Sequence, residues 1–161
     1  METQPRPRIV RLPEGRALPG VIFKVMSAEA GGAFSIVEHP YQPRILIPPH
    51  VHARVDQVTY VLEGQLGIRV GDTVFDAEVG SYVVKPHGIP HTHWNPTDAP
   101  ARVMEISAPG DFERFFEEMA DAMAAGDRAK LVEVGRRHDT EFVLDWVPEL
   151  KARYGVKLMG E

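Results

Sequence analysis

The chain predicts a mainly β fold followed by helices. Two observations carry that prediction. Between Ile22 and Ile106, short apolar segments alternate with turn signals at close intervals; after Ala108-Pro109-Gly110 the apolar residues recur at helical spacing instead. The expected strands fall at residues 22–27, 34–38, 45–47, 58–62, 66–70, 74–77, 82–85, 91–94 and 102–106. Gly31-Gly32, Pro48-Pro49, Glu63-Gly64-Gln65, Gly71-Asp72 and Pro96-Thr97-Asp98 separate them. Short strands at this spacing, with no helical pattern between them, make a sandwich or a barrel.

The helical part begins at Asp111, a residue able to cap the helix that follows. Phe112, Phe115, Phe116, Met119 and Met123 then form one apolar stripe. Asp127 can cap a second helix that contains Leu131, Val132 and Val134. Phe142, Val143, Trp146, Val147, Leu150 and Tyr154 form a further apolar surface, with Pro148 suited to a helix first turn and Gly155 to its end. These stripes are expected to pack on the β part, as one domain with a β region over residues 1–108 and a helical extension over residues 109–161.

Bulk properties narrow the function classes. A chain of 161 residues with 43% apolar and 25% charged residues is an ordinary globular domain, long enough to bury a core. The net charge of −5 argues against nucleic acid, which calls for a basic face. There is no cysteine, so disulfides and thiolate metal ligands are excluded and any metal must be held by His, Asp, Glu or Gln. Residues Met1 to Arg8 lack the apolar stretch of a signal peptide, and no run reaches the ~20 apolar residues of a membrane-spanning helix. The expectation is a cytoplasmic protein with no membrane partner.

His50-Val51-His52 and His91 carry the strongest chemical signal. Side chains alternate faces along a strand, so His50 and His52 point the same way. Imidazoles from two neighbouring strands can then converge on one point, a site for Zn, Fe, Ni, Cu or Mn. Imidazole must be neutral to bind a metal, so protons should compete near and below its reference pKa of about 6.5. His93 shares a face with His91 by the same alternation and should also look inward, as an acid–base group, an alternative ligand or lining. Tyr82, Val84, Thr59 and Val61 are expected to line the pocket or fill the core. His39, His87 and His138 carry no expected role beyond structure.

The histidine pattern resembles the two motifs of the cupin superfamily. The first reads Gly, five residues, His-x-His, three or four residues, Glu, six residues, Gly; His50, His52 and Gly64 fall in its register. The second reads Gly, five residues, Pro-x-Gly, two residues, His, three residues, Asn; Gly80, Pro86, Gly88, His91 and Asn95 match it throughout. The span covered is roughly residues 34 to 108, and the helical tail is similar to that of bacterial quercetinase-like cupins. Arg44 replaces the first glycine, a change expected to matter little. Gln57 replaces the metal-binding glutamate, which matters more: an amide offers a neutral carbonyl oxygen and cannot take a proton. Gln57 is therefore either a fourth ligand or a hydrogen-bond partner near the ligands. Asp56, one residue away, should face outward.

The resemblance implies a cupin-type antiparallel β-barrel holding one divalent transition metal on His50, His52 and His91, with Gln57 as a possible fourth ligand. It implies a metal-dependent dioxygenase of a small enolic or phenolic substrate, with His93 as the nearby acid–base group. A non-catalytic binding protein for a small anionic metabolite, or an isomerase or hydrolase using metal-bound water, are the alternatives. Related proteins also imply a homodimer formed through barrel faces and an exchanged N-terminal strand, to which Ile9, Val10 and Leu12 would contribute apolar surface.

Overall fold

The structure, a computed structural model, describes residues 7–161; most of the N-terminal stretch read above for a leader lies outside the described residues. Strands are numbered in chain order. The first sheet runs β1 (Arg16–Leu18), β2 (Val21–Val25), β3 (Ser35–Tyr41), β11 (Ala101–Ala108), β6 (Asp56–Glu63) and β9 (Tyr82–Lys85). The second runs β12 (Thr140–Phe142), β5 (His50–His52), β10 (His91–Trp94), β4 (Ile45–Leu46) and β13 (Lys157–Leu158), with β7 (Gln65–Val70) along β10 and β8 (Thr73–Glu78) beyond it. All pairings are antiparallel except β13 with β4. Three helices follow: α1 (Glu113–Ala124), α2 (Arg128–Arg137) and α3 (Val147–Tyr154).

The mainly β expectation holds, and the helices are where the sequence placed them, but the sheets are not closed into a barrel. No strand pairing joins them among the described residues, and closure needs a continuous ladder around the whole circumference. The two sheets meet instead through inward side chains. At one end these are apolar: Val61, Val83 and Val103 of the first sheet pack on Leu66, Ile68 and Ala77 of the second. The polar inward residues gather at the other end.

Alternation decides most of these placements. On β11, Val103, Glu105 and Ser107 are buried while Met104 and Ile106 are half-buried on the other face. On β9, Val83 and Lys85 are buried, so Tyr82 and Val84 point outward and are exposed. That corrects the expectation that Tyr82 and Val84 line the pocket or fill the core; Thr59 and Val61 are buried as expected.

The outer face of the second sheet is covered by the C-terminal segment. Trp94 and Leu46 pack on Leu150 and Val156, with the Tyr154 ring 4.4 Å from Trp94. Gly67 sits opposite Trp94 across the β7–β10 ladder, and a Cβ there would come within 2.1 Å of the indole. Glycine at this point lets the ring lie across the neighbouring strand. The extension also supplies strands: β12 pairs with β5 and β13 with β4.

Asp127 caps α2 by accepting the Lys130 N–H at 3.0 Å, Pro148 lies in the first turn of α3, and Gly155 ends it in the left-handed conformation. Asp111 does not cap α1. It lies inside a 3-10 turn (Gly110–Phe112) that runs straight into the helix, so the capping position falls on Phe112, which makes no side-chain cap. Arg44 also differs from expectation. Its φ is +58°, a left-handed conformation that glycine adopts without strain and arginine does not. Its guanidinium is held by Asp98 through bonds of 2.8 and 3.1 Å.

Candidate metal centre

His50 and His91 are direct partners on β5 and β10, and His52 follows His50 on the same face. Their rings pack at centroid distances of 4.5 Å (His50–His91), 4.7 Å (His50–His52) and 5.1 Å (His52–His91). One nitrogen from each lies within 4.8 Å of the others, so the three can hold a metal ion.

The partners of the remaining nitrogens fix which atom faces the common point. His50 Nδ1–H donates to the Pro48 carbonyl at 2.7 Å, and His91 Nδ1–H to the Ile89 carbonyl at 3.0 Å. His52 Nδ1 is 2.8 Å from the Thr140 hydroxyl, whose own proton goes to the His138 carbonyl at 3.3 Å. The hydroxyl therefore accepts from His52 Nδ1–H. All three rings carry their proton on Nδ1 and turn a lone pair on Nε2 inward. Backbone or hydroxyl acceptors of this kind orient metal-binding histidines generally.

Nε2 of His52 and Nε2 of His91 are buried with no hydrogen-bond partner. Orphaned buried acceptors are costly in an ordinary core. Here two of them converge with a third, which is the arrangement a divalent cation satisfies. Burial pushes His50 down to about 4 and His52 down to about 2, and lowers His91 well below its ordinary value. The nearby Lys85 charge lowers all three further, and charge on His50 opposes protonation of His52 and His91. The triad is neutral, as metal binding requires, well below pH 6.5.

Gln57 belongs to the first sheet and is buried; its Nε2–H donates to Ser107 Oγ at 3.2 Å. Its side chain lies near the His52 ring and lines the same cavity. Asp56 points away from the site, is exposed, and accepts from His87.

His93 is buried beside the triad with both ring nitrogens engaged. Lys85 Nζ, which can only donate, is 3.3 Å from His93 Nε2. The ring proton is then on Nδ1, 2.9 Å from the Tyr41 hydroxyl. Lys85 also forms a buried ion pair with Glu105, and Thr59 donates to the other Glu105 oxygen at 3.2 Å. Tyr41, Lys85, Glu105 and Thr59 of the first sheet, with His93 of the second, thus form a polar chain across the gap between the sheets, beside the three imidazoles.

No motif in the sequence singles out Lys85, Glu105 or Tyr41. The alternation of Val83 with Lys85 and of Val103 with Glu105 would have pointed both charges inward.

His50, His52 and Gln57, with Tyr41, His93, Lys85 and Glu105 of the polar chain, line one cavity of about 490 Å³. The extension supplies much of its apolar lining: Phe115, Phe116 and Met119 of α1, Leu131 of α2, Phe142 and Leu144. Phe112 stands edge-on to His52 at 4.6 Å.

His39 also lines this cavity, with Nδ1 donating to the Gly20 carbonyl at 2.9 Å, whereas His138 pairs with Glu118 and lies outside it. Asn95 stabilises the turn into Pro96: it donates to the Gln42 and Ala99 carbonyls and accepts from both Thr97 N–H and Thr97 Oγ.

Known proteins share this fold. Residues 37–107 match the family described as Cupin domain. A germin-like protein (subfamily 2 member 2) of Arabidopsis thaliana is 30% identical over 104 residues; the match covers 62% of this chain and 48% of that relative. The chain therefore spans about half the length of the curated relative it matches. Among solved structures, the cupin domain of Schizosaccharomyces pombe Cnp3 superposes with a TM-score of 0.54 at 16% identity, over 75% of this chain and 78% of that one. KdgF from Halomonas sp. does so with a TM-score of 0.50 at 19% identity, over 63% and 86%. At these identities the likeness concerns the fold alone. No helix among the described residues is long and apolar enough to cross a membrane. In both histidine motifs and by this match, residues 37–107 are a cupin domain.

Proposed function

We propose that the protein is a metal-dependent dioxygenase acting on a small enolic or phenolic substrate, of the quercetinase-like or diketone-cleaving kind. The observation that carries this reading is the set of inward Nε2 atoms of His50, His52 and His91, two of them orphaned, beside a cavity lined in large part by apolar side chains. A divalent transition metal (Fe, Ni, Mn, Zn or Cu) would supply a Lewis acid for an enolate or phenolate and, where redox-active, electrons for dioxygen. A three-histidine set leaves open positions for substrate, the feature that distinguishes catalytic from structural metal sites. Gln57 is placed to accept a role beside His52, as a neutral fourth donor or by holding that ring.

The chain's own residues do the rest. Phe115, Phe116 and Met119 exclude water and receive the apolar body of the substrate. His93 is the acid–base candidate. With both nitrogens engaged, it acts through Tyr41, relaying a proton between that hydroxyl and Lys85.

Oxygen uptake by Fe(II)-, Ni(II)- and Mn(II)-loaded protein against flavonols and 1,3-diketones tests the reading. Uptake in step with substrate loss supports it. Tight binding of the same compounds with no uptake supports the second reading, a non-catalytic binding protein, which the amide at Gln57 favours.

A homodimer is part of the proposal. The outer face of the first sheet carries Ile36, Val58, Tyr60, Tyr82, Val84 and Ile106 in register, with the Tyr60 and Tyr82 rings 4.5 Å apart. A contiguous apolar face of this kind marks an interaction surface. Light scattering on wild type and Tyr82→Glu is the check, with dimer expected for the first and a shift to monomer for the second.

A further inference from the structure

Lys85 is the least ordinary buried group in the molecule. It is 1% exposed, yet it lines the cavity. An ammonium carries three protons and no acceptor. One goes to Glu105 and one to His93 Nε2, and no other described residue takes the third. Glu105 accepts from Lys85 on one oxygen and from Thr59 on the other. Leaving a charged donor buried and unsatisfied is costly, and charge-assisted bonds are about twice as strong as neutral ones. The groups opposite are neutral imidazoles with their lone pairs turned to the metal point. The cavity thus holds one open cationic donor on the first sheet and three nitrogen donors on the second.

We propose that Lys85 anchors a negatively charged oxygen of the substrate, so that the cavity takes an apolar ring compound bearing an acidic oxygen at the end that meets the first sheet. This rests on the cavity being the substrate pocket, as proposed above, but not on the metal or on oxygen chemistry. Glu105 has two effects. It holds Lys85 in place, and it competes with the incoming anion for that charge. Thr59, His93 and Tyr41 complete the cradle, and their bonds fix the direction in which the third proton points. The apolar lining of Phe115, Phe116 and Met119 accounts for the other end of such a ligand.

The test compares 2-naphthoate with 2-naphthalenemethanol, which share a ring system and differ in charge at one end. Affinities are measured by titration calorimetry on protein stripped of metal, so that failure of the dioxygenase reading leaves the result intact. Wild type is expected to prefer the carboxylate by roughly tenfold, the worth of one charge-assisted bond. Lys85→Met should abolish the preference, and Glu105→Gln should enlarge it by removing the competing carboxylate. Circular dichroism and melting curves check that both variants fold. Should Lys85→Met fail to fold, Glu105→Gln still decides, because a purely structural ion pair predicts no gain in carboxylate affinity. No preference in wild type, or the same preference in wild type and Glu105→Gln, overturns the proposal.

Discussion

His50 and His91 face each other as direct partners across two antiparallel strands, their rings 4.5 Å apart. That pairing turns two distant stretches of sequence into one donor set. His52 joins it through strand alternation alone. The ladder fixes the Cα positions, and the Nδ1 acceptors fix the ring orientations.

Thr140 should matter to metal affinity without touching the metal. Its hydroxyl is the acceptor that orients His52. Thr140→Val keeps the shape and removes the bond, and loss of such a partner weakens metal binding about tenfold to a hundredfold. Titration with Zn(II) should show that weakening at unchanged stoichiometry. Equal affinity in wild type and variant would mean the ring is held by packing against Phe112 instead.

Acidification should act on stability before it acts on metal binding. His50 and His52 stay neutral in the fold down to about 4 and about 2, whereas unfolded histidine takes a proton near 6.5. Below that value the unfolded chain binds protons that the folded one refuses. Metal-free protein should therefore be most stable above pH 6.5 and lose about 1.4 kcal/mol per pH unit for each buried histidine on going down towards 4. A melting temperature that falls from pH 7 to pH 5 is the expected result; a flat or rising one contradicts the burial argument. Over the same range the folded site is already deprotonated. Metal affinity of the folded protein should then change little, in place of the loss near 6.5 expected of free imidazole.

Gln57→Glu should tighten Mn(II) and Fe(II) more than Cu(II). The change adds a charge at nearly constant shape beside His52, and hard, oxygen-preferring ions gain most from it. Calorimetry with Mn(II) on both proteins is the check. Equal affinities would place residue 57 out of reach of the metal.

Truncation after Pro109 should give insoluble or molten protein. The cut removes α1 and α2, which line the cavity, the segment that covers Trp94, and strand β12, whose Thr140 orients His52. A soluble fragment with an unchanged melting curve would contradict this.

Much of this was legible in the sequence because it is local. His-x-His alternation, the Gly80–Asn95 motif, the Asp127 cap and the Pro148/Gly155 helix bounds each depend on residues within a few positions of one another. Partners far apart in the chain were not legible. Lys85 and Glu105 meet because β9 and β11 both flank β6, and Thr140 reaches His52 because β12 joins β5. No short-range pattern encodes either meeting. Tyr82 and Val84 were misplaced because apolarity was read without the parity that Lys85, buried by its pairing with Glu105, imposes on the strand. Sheet closure was likewise beyond the pattern, since the same alternation suits an open sandwich and a barrel.

The central claim is that His50, His52 and His91 bind one metal ion through Nε2. Metal content by mass spectrometry, after loading with Zn(II) or Mn(II) and desalting at neutral pH, tests it most directly. The account predicts one ion per chain in wild type and near-complete loss in folded His52→Ala and His91→Ala. Full occupancy in both variants would contradict it.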